Sequence, residues 1–331
     1  MKLSYLVVSL SVLAACAGDE NGNDSADSAT GDASASSSSS SGVGGGSSGA
    51  PGASSGSGTS GGIGDGGGSS GALPAPACNK RGVAYGHHSP ADLQALRPGI
   101  SWWYNWAYQP DELVRGVYTQ LGVEYVPMIW GGAVDTVQAE GQMPAARALL
   151  GFNEPNFGEQ ANMSAADAAA KWPSVQAIAD AKNLTLVSPA VNFCGGNCQD
   201  TDPFSYLEDF FASCTNCRVD AIAVHVYVGC AGEGGNHAKW LVDKVAAYEE
   251  RFTQPIWLTE FACDDAKNEA EQQAFLVDAV TYLESDPRVQ RYAWFAGRAD
   301  NVAHVDLLGA DGQLTGLGET YVGLPHAECT P

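Results

Sequence analysis

Positive charge is scarce in this chain of 331 residues: 16 lysines and arginines stand against 38 aspartates and glutamates, a formal net charge of −22. That shortage excludes a nucleic-acid backbone as partner, because such binding rests on many lysine and arginine contacts to phosphate. It argues equally against an anionic membrane surface. Long apolar runs are lacking too. The N-terminal stretch from Leu3 to Leu13 is too short to span a bilayer and stay there. No Gly-rich phosphate loop follows the first strand-like run, which passes instead into Gly86-His87-His88-Ser89-Pro90; an open dinucleotide-binding sheet would show one. No Gly-x-Ser-x-Gly string follows a strand-like run, so the nucleophile elbow of a serine hydrolase is missing. Of the 6 histidines only His87, His88 and His225 fall at strand ends. A metal-dependent hydrolase barrel wants several histidines plus a carboxylate there. Neither a metal nor a cofactor is expected.

What is present divides the chain in three. Residues 1–15 read as an export signal, with Lys2 ahead of the short apolar stretch. It ends in Leu13-Ala14-Ala15-Cys16, which resembles a bacterial lipobox and implies cleavage before Cys16 and lipidation of that cysteine. Ala17 stands where an inner-membrane retention signal would have Asp, which favours the outer membrane or cell surface over the inner membrane. The expected location is exported, held to the membrane through the lipid alone, or extracellular. Residues 16–76 are mostly Ser, Gly, Ala and Asp, including an unbroken serine block at 36–41. Such a segment has too little apolar surface to offset chain entropy and reads as a disordered linker. It would reach roughly 40 Å as a flexible coil. Removing Cys16 from the 9 cysteines leaves eight, all able to pair in an oxidising compartment. Cys194–Cys198, Cys214–Cys217, Cys230–Cys263 and Cys78–Cys329 are the preferred pairs, although eight cysteines can combine in on the order of a hundred ways. The Cys214-x-x-Cys217 spacing also suits zinc, but export favours the disulfide.

Residues 77–331 form one α/β domain, at about the length a (β/α)8 TIM barrel needs. Candidate strands are 81–86, 100–105, 124–129, 148–153, 184–189, 221–227, 255–260 and 290–295. Most are continuous apolar runs, the mark of parallel strands buried on both faces. Helical spacing appears at 111–121, 164–182, 236–252 and 268–283. Ser164 is placed to cap the second of these, and Pro173 is expected to break it.

Two strings carry the chemistry: Gly151-Phe152-Asn153-Glu154-Pro155 and Trp257-Leu258-Thr259-Glu260-Phe261. Each sets one glutamate directly after an apolar run. A carboxylate there gains little from packing, since burying a charge is costly unless it is paired. In a barrel, chemistry sits at the carboxyl ends of the strands, and strands four and seven face each other across the mouth. Paired carboxyls are what glycosidic cleavage needs. A separation of about 5–5.5 Å implies retention of configuration, and about 6.5–9.5 Å implies inversion. Aromatics cluster after strand two (Trp102, Trp103, Tyr104, Trp106, Tyr108), after strand three (Trp130) and at the end of strand eight (Trp294, Phe295). Their faces pack on the apolar faces of sugar rings. Trp106, Trp130 and Trp294 are expected at the sugar. At least one of Trp102 and Trp103 is expected in the core, and Trp172, Trp240 and Trp257 are expected to be packing residues.

These strings, with Trp103-Tyr104-Asn105-Trp106 and Val224-His225-Val226-Tyr227, resemble glycoside hydrolase family 128, the endo-β-1,3-glucanases with an alkali-sensitive-linkage-protein-type domain, in the retaining barrel clan. The resemblance implies a retaining, endo-acting enzyme on β-1,3-glucan, and a monomer is expected. It makes Glu154 the general acid/base and Glu260 the nucleophile. It brings Asn153 to the sugar 2-hydroxyl, sets Tyr227 to orient Glu260, and lets His225 support either carboxylate. Asn105 and Trp106 are expected to bind substrate. A charge on Glu260 would hold the proton on Glu154 until it is transferred. Asn156, where an acidic residue is expected, and Val226, where an aromatic is common, depart from the pattern. Two alternatives stand beside this reading: action on another β-linked glycan, and a surface glucan-binding protein without turnover.

Overall fold

Strands that bury both faces must close on themselves or be covered on both sides. Here they close. The computed structural model describes residues 79–230 and 233–326. The expected signal, Cys16, the linker and the Cys78–Cys329 pair lie outside the described residues. The eight strands are β1 (Arg81–Ala84), β2 (Trp102–Tyr104), β3 (Glu124–Tyr125), β4 (Ala148–Leu150), β5 (Thr185–Val187), β6 (Ile222–Val228), β7 (Ile256–Cys263) and β8 (Val289–Phe295). Every residue of β1, β2, β4 and β7 is buried. A parallel ladder runs β3-β2-β1-β8-β7-β6, and β4 pairs with β5. Single bridges, Met128 to Leu150 and Val187 to Ala221, join the two ladders into one circle. The result is the (β/α)8 barrel that the sequence predicts.

The helices are α1 (Pro90–Leu96), α2 (Thr136–Gln142), α3 (Ala165–Lys182), α4 (Pro203–Ser213), α5 (Lys239–Arg251), α6 (Glu269–Ser285) and α7 (Gly316–Gly323). Ser164 caps α3 by accepting from the Asp167 amide. Two expectations are corrected. Pro173 lies inside an unbroken α3, because burial of Trp172, Val175, Ile178 and Ala179 outweighs one lost backbone bond. The stretch 111–121 forms only a short 3-10 turn, Glu112–Val114. Gly116 falls in its middle, where a glycine disfavours helix.

The barrel's first and last strands are locked at their base. Arg81 is fully buried. It donates to the Tyr292 hydroxyl on β8, to the Glu284 carboxylate, and to the carbonyls of Tyr321, Leu324 and Pro325. Lys80 Nζ donates to the carbonyls of Leu283, Glu284 and Asp286, satisfying groups that the end of α6 leaves without helical partners. Disulfides join Cys194 to Cys198, Cys214 to Cys217 and Cys230 to Cys263, as the sequence predicts. The last of these ties the residues just past β6 to the end of β7. No helix among the described residues is long and apolar enough to cross a membrane.

Candidate active site

The end of β4 is shaped by close approach. A Cβ on Gly151 would stand 2.8 Å from the Trp172 ring and 2.9 Å from the Ser188 backbone, so only glycine fits. Beyond it the chain leaves the ladder while its amides stay paired: Asn153 N donates to Trp130 O (2.9 Å) and Glu154 N to Ala190 O (2.8 Å). Glu154 has φ 39°, left-handed backbone for a non-glycine residue. Such a conformation costs on the order of 1–3 kcal/mol and is held only where the surroundings fix it. The carboxylate is 4 % exposed. Its Oε1 accepts from Asn192 Nδ2 at 3.0 Å and stands 2.9 Å from His225 Nδ1. Asn192 is held by the fully buried Asn156, whose Nδ2 donates to the carbonyls of Asn192 (2.7 Å) and Asp200 (3.1 Å). The asparagine that departs from the expected acidic residue therefore braces the partner of Glu154.

Glu260 lies within β7 and is 1 % exposed. A bulge between Val224 and His225 shifts the β6–β7 register, so that His225 pairs directly with Glu260. Bulges commonly re-aim side chains beside active sites. Glu260 Oε1 accepts from the Trp106 indole (2.7 Å) and the Tyr104 hydroxyl (2.9 Å), and Oε2 accepts from the Tyr227 hydroxyl (2.6 Å). His225 Nδ1 is 3.5 Å from Oε2. One oxygen of Glu154, one of Glu260 and a ring nitrogen of His225 all lie within 4.8 Å of one another.

This crowding sets the charges. Burial pushes the Glu260 carboxyl above its ordinary range; the His225 charge pulls it back, the Glu154 charge adds to the rise, and the Tyr227 and Trp106 hydrogen bonds oppose it. Burial alone would lower His225, but the charges of Glu260 and Glu154 and the hydrogen bond to Glu154 outweigh it, and the imidazole is raised. The Tyr227 and Tyr104 hydroxyls are pushed far up by burial and by Glu260, so both remain O–H donors. The Glu-His-Glu trio has metal-ligand residue types. Yet N–H and O–H donors already aim at its carboxylate oxygens, the surroundings of an anion that acts as such.

The other expected site residues divide. Asn153 is buried; its Nδ2 donates to Gln160 Oε1 at 3.2 Å, and its Oδ1 has no partner among the described residues. Trp106 and Trp130 are half-buried. Asn105 is half-buried: its Nδ2 donates to Gln109 O and Asp111 Oδ1, and its Oδ1 accepts from Tyr125, so its amide holds the loop around Trp106. Trp294 is corrected. It is fully buried, donates to Val305 O, and packs against Phe261, Phe275 and Tyr321. The next residue, Phe295, points the other way and meets Trp106 and Tyr227. Trp102, Trp103, Trp172 and Trp257 are buried, whereas Trp240, expected as packing, is 40 % exposed. Sequence reasoning missed Asn192 and the hydroxyl role of Tyr104. The available signal for Asn192 was a polar residue directly after the apolar Ala190-Val191, the same pattern that marks Glu154.

With this geometry in place, the comparisons with known proteins are direct. The family model described as glycosyl hydrolase catalytic core matches residues 82–321. Alkali-sensitive linkage protein 1 of Schizosaccharomyces pombe is 28 % identical over 237 residues, 69 % of this chain and 41 % of that protein. The chain thus matches about two fifths of the length of that curated relative. A crystal structure of a subgroup II endo-β-1,3-glucanase of glycoside hydrolase family 128 from Sorangium cellulosum is 60 % identical, with a TM-score of 0.74 over 75 % of this chain and 99 % of that one. A subgroup I endo-β-1,3-glucanase of the same family from Amycolatopsis mediterranei, solved in complex with laminaritriose, is 31 % identical. Its TM-score is 0.60 over 74 % of this chain and 98 % of that one.

Proposed function

This chain belongs to the glycosyl hydrolase catalytic core family and to glycoside hydrolase family 128, and from that premise we propose that it cleaves β-1,3-glucan within the chain, with retention at the anomeric carbon. One observation carries the proposal: two buried carboxylates, Glu154 past the end of β4 and Glu260 within β7, approach within 4.8 Å of each other and of His225. That closeness suits a nucleophile touching the anomeric carbon rather than a water held between two carboxyls. Glu154 gives its proton to the glycosidic oxygen as Glu260 attacks; Glu154 then takes a proton from the water that releases the sugar. Three donors on Glu260 favour its ionised form against the cost of burial. The substrate class is supported by the similar enzymes, which are endo-β-1,3-glucanases, one of them holding laminaritriose.

Incubation with laminarin tests this reading. A ladder of oligosaccharides at early times supports internal cleavage. Glucose alone would point to action from chain ends, and binding without products to a lectin. Proton NMR of the first product should show the β anomer before mutarotation. Lipid anchoring belongs to the same proposal and rests on Leu13-Ala14-Ala15-Cys16. Labelled fatty acid should enter the native chain and not a Cys16→Ser variant.

A further inference from the structure

Glu260 has one oxygen for each of two undivided donors. Tyr227 donates to Oε2 at 2.6 Å. On Oε1 two donors meet, but they are not equal. The single hydroxyl proton of Tyr104 faces both Thr259 O at 3.1 Å and Glu260 Oε1 at 2.9 Å, so it is shared. The Trp106 indole N–H reaches Oε1 at 2.7 Å, its one acceptor among the described residues. Trp106 is set there deliberately: its φ is 58°, left-handed for a bulky residue, and its ring is packed edgewise by Tyr104 and Phe295. Asn105, bonded to Gln109, Asp111 and Tyr125, fixes the loop from which it projects.

Resting on the glucanase reading above, we infer that Trp106 is a positioning residue for the nucleophile, its indole N–H holding Glu260 Oε1 while Oε2 forms the bond to the sugar. Oε2 lies 3.5 Å from His225, and His225 in turn adjoins Glu154, so Oε2 is the oxygen on the side of Glu154. In the first step the Oε2–anomeric carbon bond forms, the glycosidic bond breaks, and the Glu154 proton goes to the leaving oxygen. Oε1 becomes the ester carbonyl and keeps the indole hydrogen bond. In the second step water attacks the anomeric carbon and gives a proton to Glu154. The bond to Oε2 breaks, and negative charge returns to a carboxylate already held by Trp106. The residue acts in both half-reactions without touching the anomeric carbon. Any stacking of its ring on sugar is a separate role.

Trp106→Phe separates the two roles, because it keeps an aromatic ring and removes the N–H. On laminarin-derived oligosaccharides, kcat should fall about 10- to 100-fold, the size expected for losing a hydrogen bond to a charged group. KM should stay within about threefold, since ring packing is retained. The acidic limb of the kcat/KM profile should move to higher pH, because the ionised nucleophile has lost a donor. Tyr227→Phe, which removes the matching donor on Oε2, should displace the limb in the same direction. Trp106→His retains a ring N–H and should recover part of the kcat lost by Trp106→Phe, even where both variants melt earlier than the native chain. Native kcat and an unmoved profile in Trp106→Phe, or a loss in KM alone, would overturn the inference while the glucanase reading stands. A native enzyme silent on laminarin would overturn both.

Discussion

His225 Nδ1 stands 2.9 Å from Glu154 Oε1, with His225 fully buried and Glu154 only 4 % exposed. The imidazole carries its charge to higher pH than a free histidine does, because the carboxylates beside it outweigh its burial. A raised folded pKa means that the folded state holds the proton more tightly. The stability this contributes is complete below the unfolded value near 6.5 and is lost as pH rises through the folded value. His225→Asn keeps a neutral donor and removes the charge. The stability gap between native and variant, read from urea melts across pH, should be widest at about pH 5–6 and narrow above. A gap that widens with rising pH would contradict this account.

The roles of the two glutamates separate by leaving group. Glu154→Gln should cost about 10²- to 10⁴-fold on laminarin, the usual worth of a general acid. With a dinitrophenyl β-glycoside, whose leaving group needs no proton, the first step should proceed almost as in the native enzyme and release a burst of phenolate. Glu260→Gln should give no burst with either substrate, because no covalent intermediate forms. Burst-phase kinetics on both variants check the assignment.

Function and stability oppose each other at Glu260. Its folded carboxyl is raised, chiefly by burial, so its contribution to stability is complete below the unfolded value near 4.3 and is lost as pH climbs through the folded one. Glu260→Gln should therefore raise Tm at pH 7, by about 2–4 °C for each kcal/mol relieved in a domain of this size. The difference should vanish in melts at about pH 4, below the unfolded value.

The Cys230–Cys263 disulfide closes a sequence span of 33 residues, and Cys194–Cys198 closes one of 4. Loop-closure entropy favours the longer tie, at about 3.5–4 kcal/mol against about 2 kcal/mol. Cys230→Ser/Cys263→Ser should therefore lower Tm more than Cys194→Ser/Cys198→Ser. It should also lower kcat, since Cys263 lies three residues past Glu260 on β7. Thermal melts and laminarin assays on the two double variants decide this.

The order of all eight strands was legible because burial on both faces leaves continuous apolar runs. Their ends were not, and the reason is functional. The run 148–153 reads as strand, yet the ladder stops at Leu150. Beyond it the chain turns, through Gly151 and a left-handed Glu154, to aim a carboxylate inward. The two glutamates were legible from their flanks, but the donors that serve them arrive from distant segments: Tyr104 and Trp106 from the end of β2, Asn192 from beyond β5. Trp294 misled because adjacent residues on a strand face opposite ways. It pairs with Phe261, the outward neighbour of Glu260, and so faces the helices, leaving Phe295 to face the site. Four helices, α1, α2, α4 and α7, escaped notice; they run only 7, 7, 11 and 8 residues, against 18 for α3 and 17 for α6, and give a period little room to repeat.

Arg81 sits at the very start of the first strand but takes its carbonyl partners from Tyr321, Leu324 and Pro325. During synthesis this guanidinium emerges some 240 residues before the oxygens that neutralise its burial. Until they arrive the nascent ring has an unsealed seam. Closure therefore waits on residues 321–325, and a deletion that removes them would leave the buried Arg81 cation with only Tyr292 and Glu284 as partners.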